Sequence, residues 1–308
     1  AQYSSTVPSG QGFYSSIYIT PTSTKSPGSG TYFFTSHYVE GFNIGQLDWG
    51  TSGARTVTLS FWVRSSKTGI YTVGLKNADA SRSRQQEYTI SSANTWEKKT
   101  ITITGETSGS WPINNTRGLA IDFALAGNAG ATSTLGSWIS ANSNMSTNQV
   151  NFFDSTSNQF YLTGVQLELG AQATDFEHRS FGEELSLCQR YYYKSMSGAP
   201  QNQIPTSDSV SCDGYHSWTF FTTTSCRSPY HFLPVEMRAT PTITLFSSAR
   251  TTSAPAGRLA YHSGIWQTMS SSGAVADTKR VALYGTTGTV TSGSSYLMAG
   301  GFQADAEL

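Results

Sequence analysis

The sequence predicts an almost entirely β protein, a jelly-roll sandwich followed by a short linking helix and a second, C-terminal β-sandwich domain. Three observations predict it. Short runs of β-branched and aromatic residues recur between Gly, Ser and Asn clusters throughout the 308 residues, which is the pattern of strands and turns. One segment alone carries a helical period. Charged residues make up 12% of the chain, against roughly a quarter in ordinary soluble proteins, so the surface must be polar without being charged. A chain of this length sits near the size at which one core splits into two. The expected division is 1–45, an N-terminal arm or first strands; 46–177, the jelly roll; 178–195, the linking helix; and 196–308, a distal β domain.

In chain order, the first forty or so residues carry Pro8, Gly10, Pro21, Pro27 and Gly30, and read either as a loosely packed strand pair or as an arm toward another subunit. Thr56 to Arg64 (TVTLSFWVR) follows as the clearest strand. Val57, Leu59, Phe61 and Val63 alternate with polar neighbours and take one face; Trp62 then lies on the other. Further strands are predicted at Gly69 to Leu75, Gln86 to Ile90, Trp96 to Thr104, Gly118 to Leu125 and Phe160 to Leu169. Polar turns between them and no helical period point to an antiparallel sandwich or jelly roll.

Ser180 to Lys194 (SFGEELSLCQRYYYK) breaks the β pattern. Ser180 followed three residues later by Glu183 is a capping-box spacing, and Leu185, Cys188 and Tyr192 form a narrow apolar stripe. That stripe is expected to pack within the chain; packing against its own copies about a threefold axis is the alternative. After a polar stretch beyond Met196, strands are predicted at Tyr215 to Thr222, Tyr230 to Met237, Thr240 to Phe246, Gly257 to His262, Arg280 to Tyr284 and Ser295 to Phe302.

Nineteen basic and nineteen acidic residues cancel, and no run of Lys or Arg stands out. Phosphate backbones are met by clustered cations, so no nucleic-acid partner is expected. No apolar run is long enough to span a bilayer, and the opening AQYSSTVPSG has neither the basic nor the apolar region of a signal peptide, so membrane insertion is not expected. Cys188, Cys212 and Cys226 cannot all pair within one chain; a Cys212–Cys226 bridge is possible on spacing, and reduced thiols are the simpler reading.

The motifs of nucleophilic, phosphate-binding and zinc chemistry are absent from the sequence, and the five histidines show no metal-ligand spacing. No catalytic residue, metal or cofactor is therefore expected. A depolymerase would need two carboxylates flanking a glycosidic bond. Asp122, Asp154, Glu168 and Asp213 are the candidates, each also readable as a turn, strand-edge or surface group. Sugar binding leaves a different mark, aromatics that stack on sugar rings beside groups that bond hydroxyls. Tyr215, Trp218, Tyr261 and Trp266 are the candidates for it, with His216, Tyr230, His231 and His262 beside them. Core or subunit-interface packing is the competing reading for each. Trp96 and Trp111 read as core or rim residues.

Phe160 to Lys194 (FYLTGVQLELGAQATDFEHRSFGEELSLCQRYYYK) resembles a segment of tailed-phage tail-fibre and virion structural proteins, in which a last jelly-roll strand leads through Phe-Glu-His-Arg-Ser to a helix ending in Cys-Gln-Arg-Tyr-Tyr. Leu59 to Arg64 (LSFWVR), Lys67 to Tyr71 (KTGIY), Asn94 to Thr100 (NTWEKKT), Val235 to Thr244 (VEMRATPTIT) and Ala304 to Leu308 (ADAEL) resemble the same family. The resemblance implies a carbohydrate-binding-module-like jelly roll and a distal β domain, carried on a virion tail appendage as a homotrimer. It implies docking on other tail or baseplate proteins and attachment to host surface polysaccharide, or else a purely architectural part in the virion. It transfers no catalytic residues. Anchoring is expected through the N-terminal arm or the first domain.

Overall fold

The computed structural model describes residues 1–28, 30–128, 130–195, 216–220, 222, 224–246, 260–262, 266–286, 295–299 and 301–307. The protein is mostly β, and its backbone contacts divide it into two units, Ala1–His178 and Arg179–Leu308.

The first unit contains β1 (Gln2–Ser4), β2 (Ser16–Ile19), β3 (Tyr32–Glu40), β4 (Val57–Ser65), β5 (Gly69–Asn77), β6 (Ser83–Ile90), β7 (Glu97–Ile103), β8 (Arg117–Gly127), β9 (Ala131–Thr132), β10 (Trp138–Ile139), β11 (Met145–Ser146) and β12 (Phe160–Leu169). One five-stranded sheet runs β1-β2-β12-β4-β7 and the other β10-β6-β5-β8-β3. The antiparallel pairs β5/β6, β4/β7, β3/β8 and β2/β12 nest one inside the next and alternate between sheets. That nesting is the wrapped hairpin of a jelly roll. The N-terminal residues supply three of its strands, so the segment read as a possible arm is built into the sandwich.

Alternation explains the core. Val57, Leu59, Phe61 and Val63 are fully buried, facing Tyr71, Val73 and Leu75 of β5 and Leu119, Ile121 and Phe123 of β8. Phe61 meets Tyr88 and Phe123 edge-on, at ring separations of 5.1 and 5.0 Å, the geometry that aromatic quadrupoles favour. Tyr88 is wholly buried, and desolvation pushes its phenol well above the usual range.

The second unit begins at α1 (Phe181–Gln189). The expected capping box is formed: the Glu183 amide donates to Ser180 Oγ, and the Ser180 amide donates to Glu183 Oε2. The helix stops at Gln189 rather than at Lys194, and Tyr192 leaves the predicted stripe for β13 (Tyr192–Lys194), which pairs with Gln303 to Asp305. Three consecutive tyrosines favour a strand, and sheet pairing overrides one more helical turn. None of the helix residues is buried, so the stripe expected to pack within the chain is not covered in its own unit.

The remaining strands are β14 (His216–Phe220), β15 (Ser225–Arg227), β16 (His231–Phe232), β17 (Thr242–Phe246), β18 (Ala260–His262), β19 (Trp266–Thr268), β20 (Ser271–Ala276), β21 (Arg280–Thr286), β22 (Ser295–Ala299) and β23 (Gly301–Asp305). A three-stranded sheet, β13-β23-β17, and an eight-stranded sheet built on β21 and β14 contribute to one core of Cys226, Met237, Met269, Val281, Leu283 and Phe302. Cys226 is free. Its thiol donates to Gly285 O, and burial pushes its pKa up to about 12.

Candidate functional site

The outward face of the β1-β2-β12-β4-β7 sheet follows from the same alternation that buries Phe160 and Leu162. Tyr161, between them, must face the other way. Register aligns Gln2 with Tyr18, Tyr18 with Tyr161, and Tyr161 with Arg64. Trp96 immediately precedes β7, whose Glu97 pairs with Val63, and the adjacent outward row brings Thr163, Trp62 and Lys98 together. A row of aromatic and cationic side chains thus crosses the sheet.

Its centre is Tyr161. The Tyr18 ring stacks on it at 4.8 Å and 27°, Trp96 leans against it at 6.1 Å, and the Arg64 guanidinium lies 5.3 Å above its ring. Gln159 ties two of the phenols together, donating to the Tyr18 hydroxyl and accepting from the Tyr161 hydroxyl, both at 3.4 Å. Tyr161 is buried by these neighbours, while Tyr18, Trp62, Arg64 and Trp96 are half-buried. Among the described residues, Trp96 Nε1 and Arg64 Nε have no hydrogen-bond partner.

The unpartnered indole separates Trp96 from the structural tryptophans. Trp49, Trp111 and Trp138 pack edge to face, with Trp49 4.8 Å from Trp111 and 5.3 Å from Trp138. Each donates its N–H to a backbone carbonyl, of Arg55, Ser108 and Thr104 respectively. Trp111 is therefore a core residue and Trp96 a rim residue of the open face.

The segment after β12 limits how much of the face is open. Thr58 Oγ1 donates to Gly170 O and Thr102 Oγ1 to Ala171 O, the Glu177 amide donates to Gln166 Oε1, and Phe176 and His178 pack on Phe13. This strap buries Thr58 and Ser60 and stops short of the aromatic row. The rim beside the row is polar: Asp154 accepts from Lys67 and Asn158, and the Lys67 ammonium holds its carboxyl below the usual range.

The outward face of the other sheet is closed. Lys76 and Asp122 form an ion pair of 3.1 Å at 8% and 4% side-chain exposure. Ser36 donates to Asp122 at 2.5 Å, and Lys76 donates to Asn144 at 2.6 Å. The segment around β11 lies over them, with Gln85 Nε2 donating to Ser143 O and the Ser146 amide to Thr72 Oγ1.

The carboxylates proposed from sequence are dispersed. Asp122 is in this buried pair, Asp154 is on the rim, Glu168 is held by the Thr174 hydroxyl and amide, and Asp213 lies outside the described residues. Burial of Glu168 opposes its ionisation, yet the Thr174 bonds keep its carboxyl below the usual range. Among the described residues, no three His, Cys, Asp or Glu side chains are grouped to hold a metal ion, and no helix is long and apolar enough to cross a membrane.

Of the sugar-binding candidates, Tyr215 lies outside the described residues. Trp218 is on β14, paired with Tyr296; Tyr261 is on β18, paired with Met298 and Gln267; Trp266 is on β19, paired with His262. All three belong to the eight-stranded sheet. The first-unit row was missed except for the outward position of Trp62. Its signal is legible in FYLTG, where Tyr161 alternates with the buried Phe160 and Leu162, and in SIYI, where Tyr18 alternates with Ile17 and Ile19.

Fold and face together define a two-sheet jelly roll with an aromatic platform on one open side, continued in the chain by a second β unit. No family model matches the chain, and no curated protein matches it in sequence. Among solved structures, the enzymatically active domain of tailspike protein 4 of bacteriophage CBA120 is similar at 13% identity and a TM-score of 0.29, over 55% of this chain and 17% of that one. A structure described as "CBM4 structure and function" is similar at 12% identity and a TM-score of 0.28, over 51% of this chain and 83% of that one. The chain thus spans under a fifth of the tailspike chain it matches.

Proposed function

We propose that this chain is a non-enzymatic, glycan-binding subunit of a phage tail appendage that attaches the particle to host surface polysaccharide. The observation that carries the binding reading is the Tyr18–Tyr161–Arg64–Trp96 row with Trp62 beside it. Aromatic faces take the apolar C–H side of a pyranose, while amide and guanidinium groups bond its hydroxyls. The phage reading is supported by the sequence resemblance at Phe160 to Lys194. The absence of catalysis is supported by the dispersal of the acids, three of which are engaged by Lys76, Lys67 and Thr174.

A homotrimer is part of the proposal, docked on other tail or baseplate proteins. Its support is α1: Phe181 is 82% exposed, Leu185 42% and Leu187 46%, and isolated helices shorter than about 12 residues are marginal in water. Symmetry would repeat a weak site, and multivalency raises apparent affinity by about 10²- to 10⁴-fold without new contacts. Exposed apolar residues of this kind also favour the architectural reading, in which the aromatics pack between virion subunits.

The test is to measure the mass of the full chain by light scattering and its binding to host cells and to soluble glucan, xylan and galactan. A trimer that binds, loses binding with Trp62→Ala/Trp96→Ala and releases no reducing ends supports the proposal. A trimer that binds none of them leaves the architectural role and refutes the glycan reading.

A further inference from the structure

The second unit carries an aromatic and cationic surface of its own, built on three adjacent strands. On β21, Val281 and Leu283 enter the core, so Arg280 and Tyr284 face the other way, with the buried Ala282 between them. Register sets Phe232 opposite Arg280 on one side, Arg227 opposite Tyr284 on that same side, and Val275 and Gly273 opposite Ala282 and Tyr284 on the other. Phe232 is 75% exposed and Tyr284 44%.

Two features give this surface chemical direction. Gly273 has no side chain, and a Cβ there would run into the Tyr284 ring; the phenol lies against the glycine of β20 and is 44% exposed. Beside it is a depression of about 250 Å³ lined by Ser225, Arg227, Val275, Tyr284 and Thr286. The second feature is cationic. Two guanidiniums lie near Tyr230, Arg227 at 5.1 Å and Arg280 at 4.2 Å from its ring centroid. Arg280 is paired with Asp277 at 2.9 Å and Lys279 with Glu236 at 3.4 Å. Arg227 donates to the Tyr230 hydroxyl, and among the described residues it has no carboxylate partner. The charge of the patch that lacks a carboxylate partner among the described residues therefore belongs to the cross-strand neighbour of Tyr284.

We infer that this face is a second saccharide site, selective for carboxylate-bearing sugars of the uronate class. A uronate pyranose presents an apolar face for Tyr284 and, at its edge, a carboxylate for the planar fork of Arg227, which suits bidentate recognition. Side chains directly opposite across strands have Cβ atoms about 5 Å apart, the scale of one sugar ring. Phe232 and Val275 extend the apolar floor to either side. The site stands independently of the jelly-roll row, which lies in the other unit.

The experiment titrates the full chain with polygalacturonate and with dextran of similar length, at low and at physiological salt. Wild type is expected to bind polygalacturonate at least tenfold more tightly than dextran, with the preference reduced by salt. Arg227→Gln is expected to abolish the preference and Arg227→Lys to restore part of it; Arg227 is exposed, so neither change touches the core. Tyr284→Ala is expected to weaken polygalacturonate at least tenfold, while Trp62→Ala/Trp96→Ala leaves it unchanged. No preference in wild type, or a response to Arg227→Gln within twofold, overturns the inference. So does loss of polygalacturonate binding in the Trp62/Trp96 variant, which would move the site to the jelly roll. A second copy of the chain as the occupant would instead appear as concentration-dependent association lost with Phe232→Ser and no polygalacturonate binding, and also overturns it.

Discussion

The two outward faces of the jelly roll start from the same strand alternation and end as opposites. On the β5/β8 side, small residues and one ion pair lie beneath the segment around β11, and every charge there has a partner: Lys76 with Asp122 and Asn144, Asp122 with Ser36 as well. On the β12/β4 side, Tyr18, Trp62 and Trp96 stay half-exposed around the buried Tyr161, and no segment comparable to that around β11 supplies hydrogen bonds over them among the described residues. A buried face must satisfy its polar groups or lose stability. The aromatic face leaves Tyr18, Trp62 and Trp96 partly exposed, which is the arrangement expected of a surface meant to meet something else. One face is covered by its own chain, and the other is the one proposed to bind.

The sharpest way to break that contrast is in the ion pair. Lys76→Ala would strand a buried carboxylate and should cost about 3–5 kcal/mol of unfolding free energy, read from urea denaturation. Replacing both partners by Lys76→Met/Asp122→Leu should recover most of it, because two apolar residues need no compensation. A loss below about 1 kcal/mol for the single change would mean that water reaches the pair and the face is not closed. Next in size, Trp62→Ala/Trp96→Ala should weaken glycan binding about 30-fold, near 2 kcal/mol, with the thermal midpoint nearly unchanged.

Gly164 probes the backbone beneath the row. It sits at φ +59 in the β12 bulge between Thr163 and Gln166, and an added Cβ would come within 2.5 Å of the Phe13 ring. Gly164→Ala should cost about 1–3 kcal/mol, read by calorimetry. The smallest effect is at the rim. Because Lys67 lowers the folded pKa of Asp154, the pair stabilises the fold fully above the ordinary carboxylate pKa, about 3.9. That contribution disappears as pH falls through the lower folded value. Asp154 is half-exposed, so the difference between wild type and Lys67→Met should be a fraction of a kcal/mol, present at pH 6 and gone near pH 2.

Much of this was legible in the sequence because alternation is local. Thr56 to Arg64, Gly69 to Leu75 and Phe160 to Leu169 mark strands that the structure contains, and the position of Trp62 opposite Phe61 follows from period two alone. Ser180 and Glu183 announced the start of the helix, but its end was not legible, since Tyr192 prefers a partner on β23 that lies more than a hundred residues away. Tyr32 to Glu40 (YFFTSHYVE) was passed over because it lacks a clean apolar alternation; pairing with β8 makes it a strand. The aromatic row was out of reach for a stronger reason. Tyr18, Tyr161 and Trp96 are neighbours only through strand register, and register between β2, β12 and β4 is set by the jelly-roll nesting rather than by any one segment.

The central claim is that the open face binds sugar while the closed face does not. Its most direct test is a titration of the full chain with host surface polysaccharide, followed by tryptophan fluorescence, with wild type compared against Trp62→Ala/Trp96→Ala. The account predicts saturable quenching in wild type that is lost in the variant while the denaturation midpoint holds. Equal binding by both proteins would contradict it, and would place recognition away from the jelly-roll row.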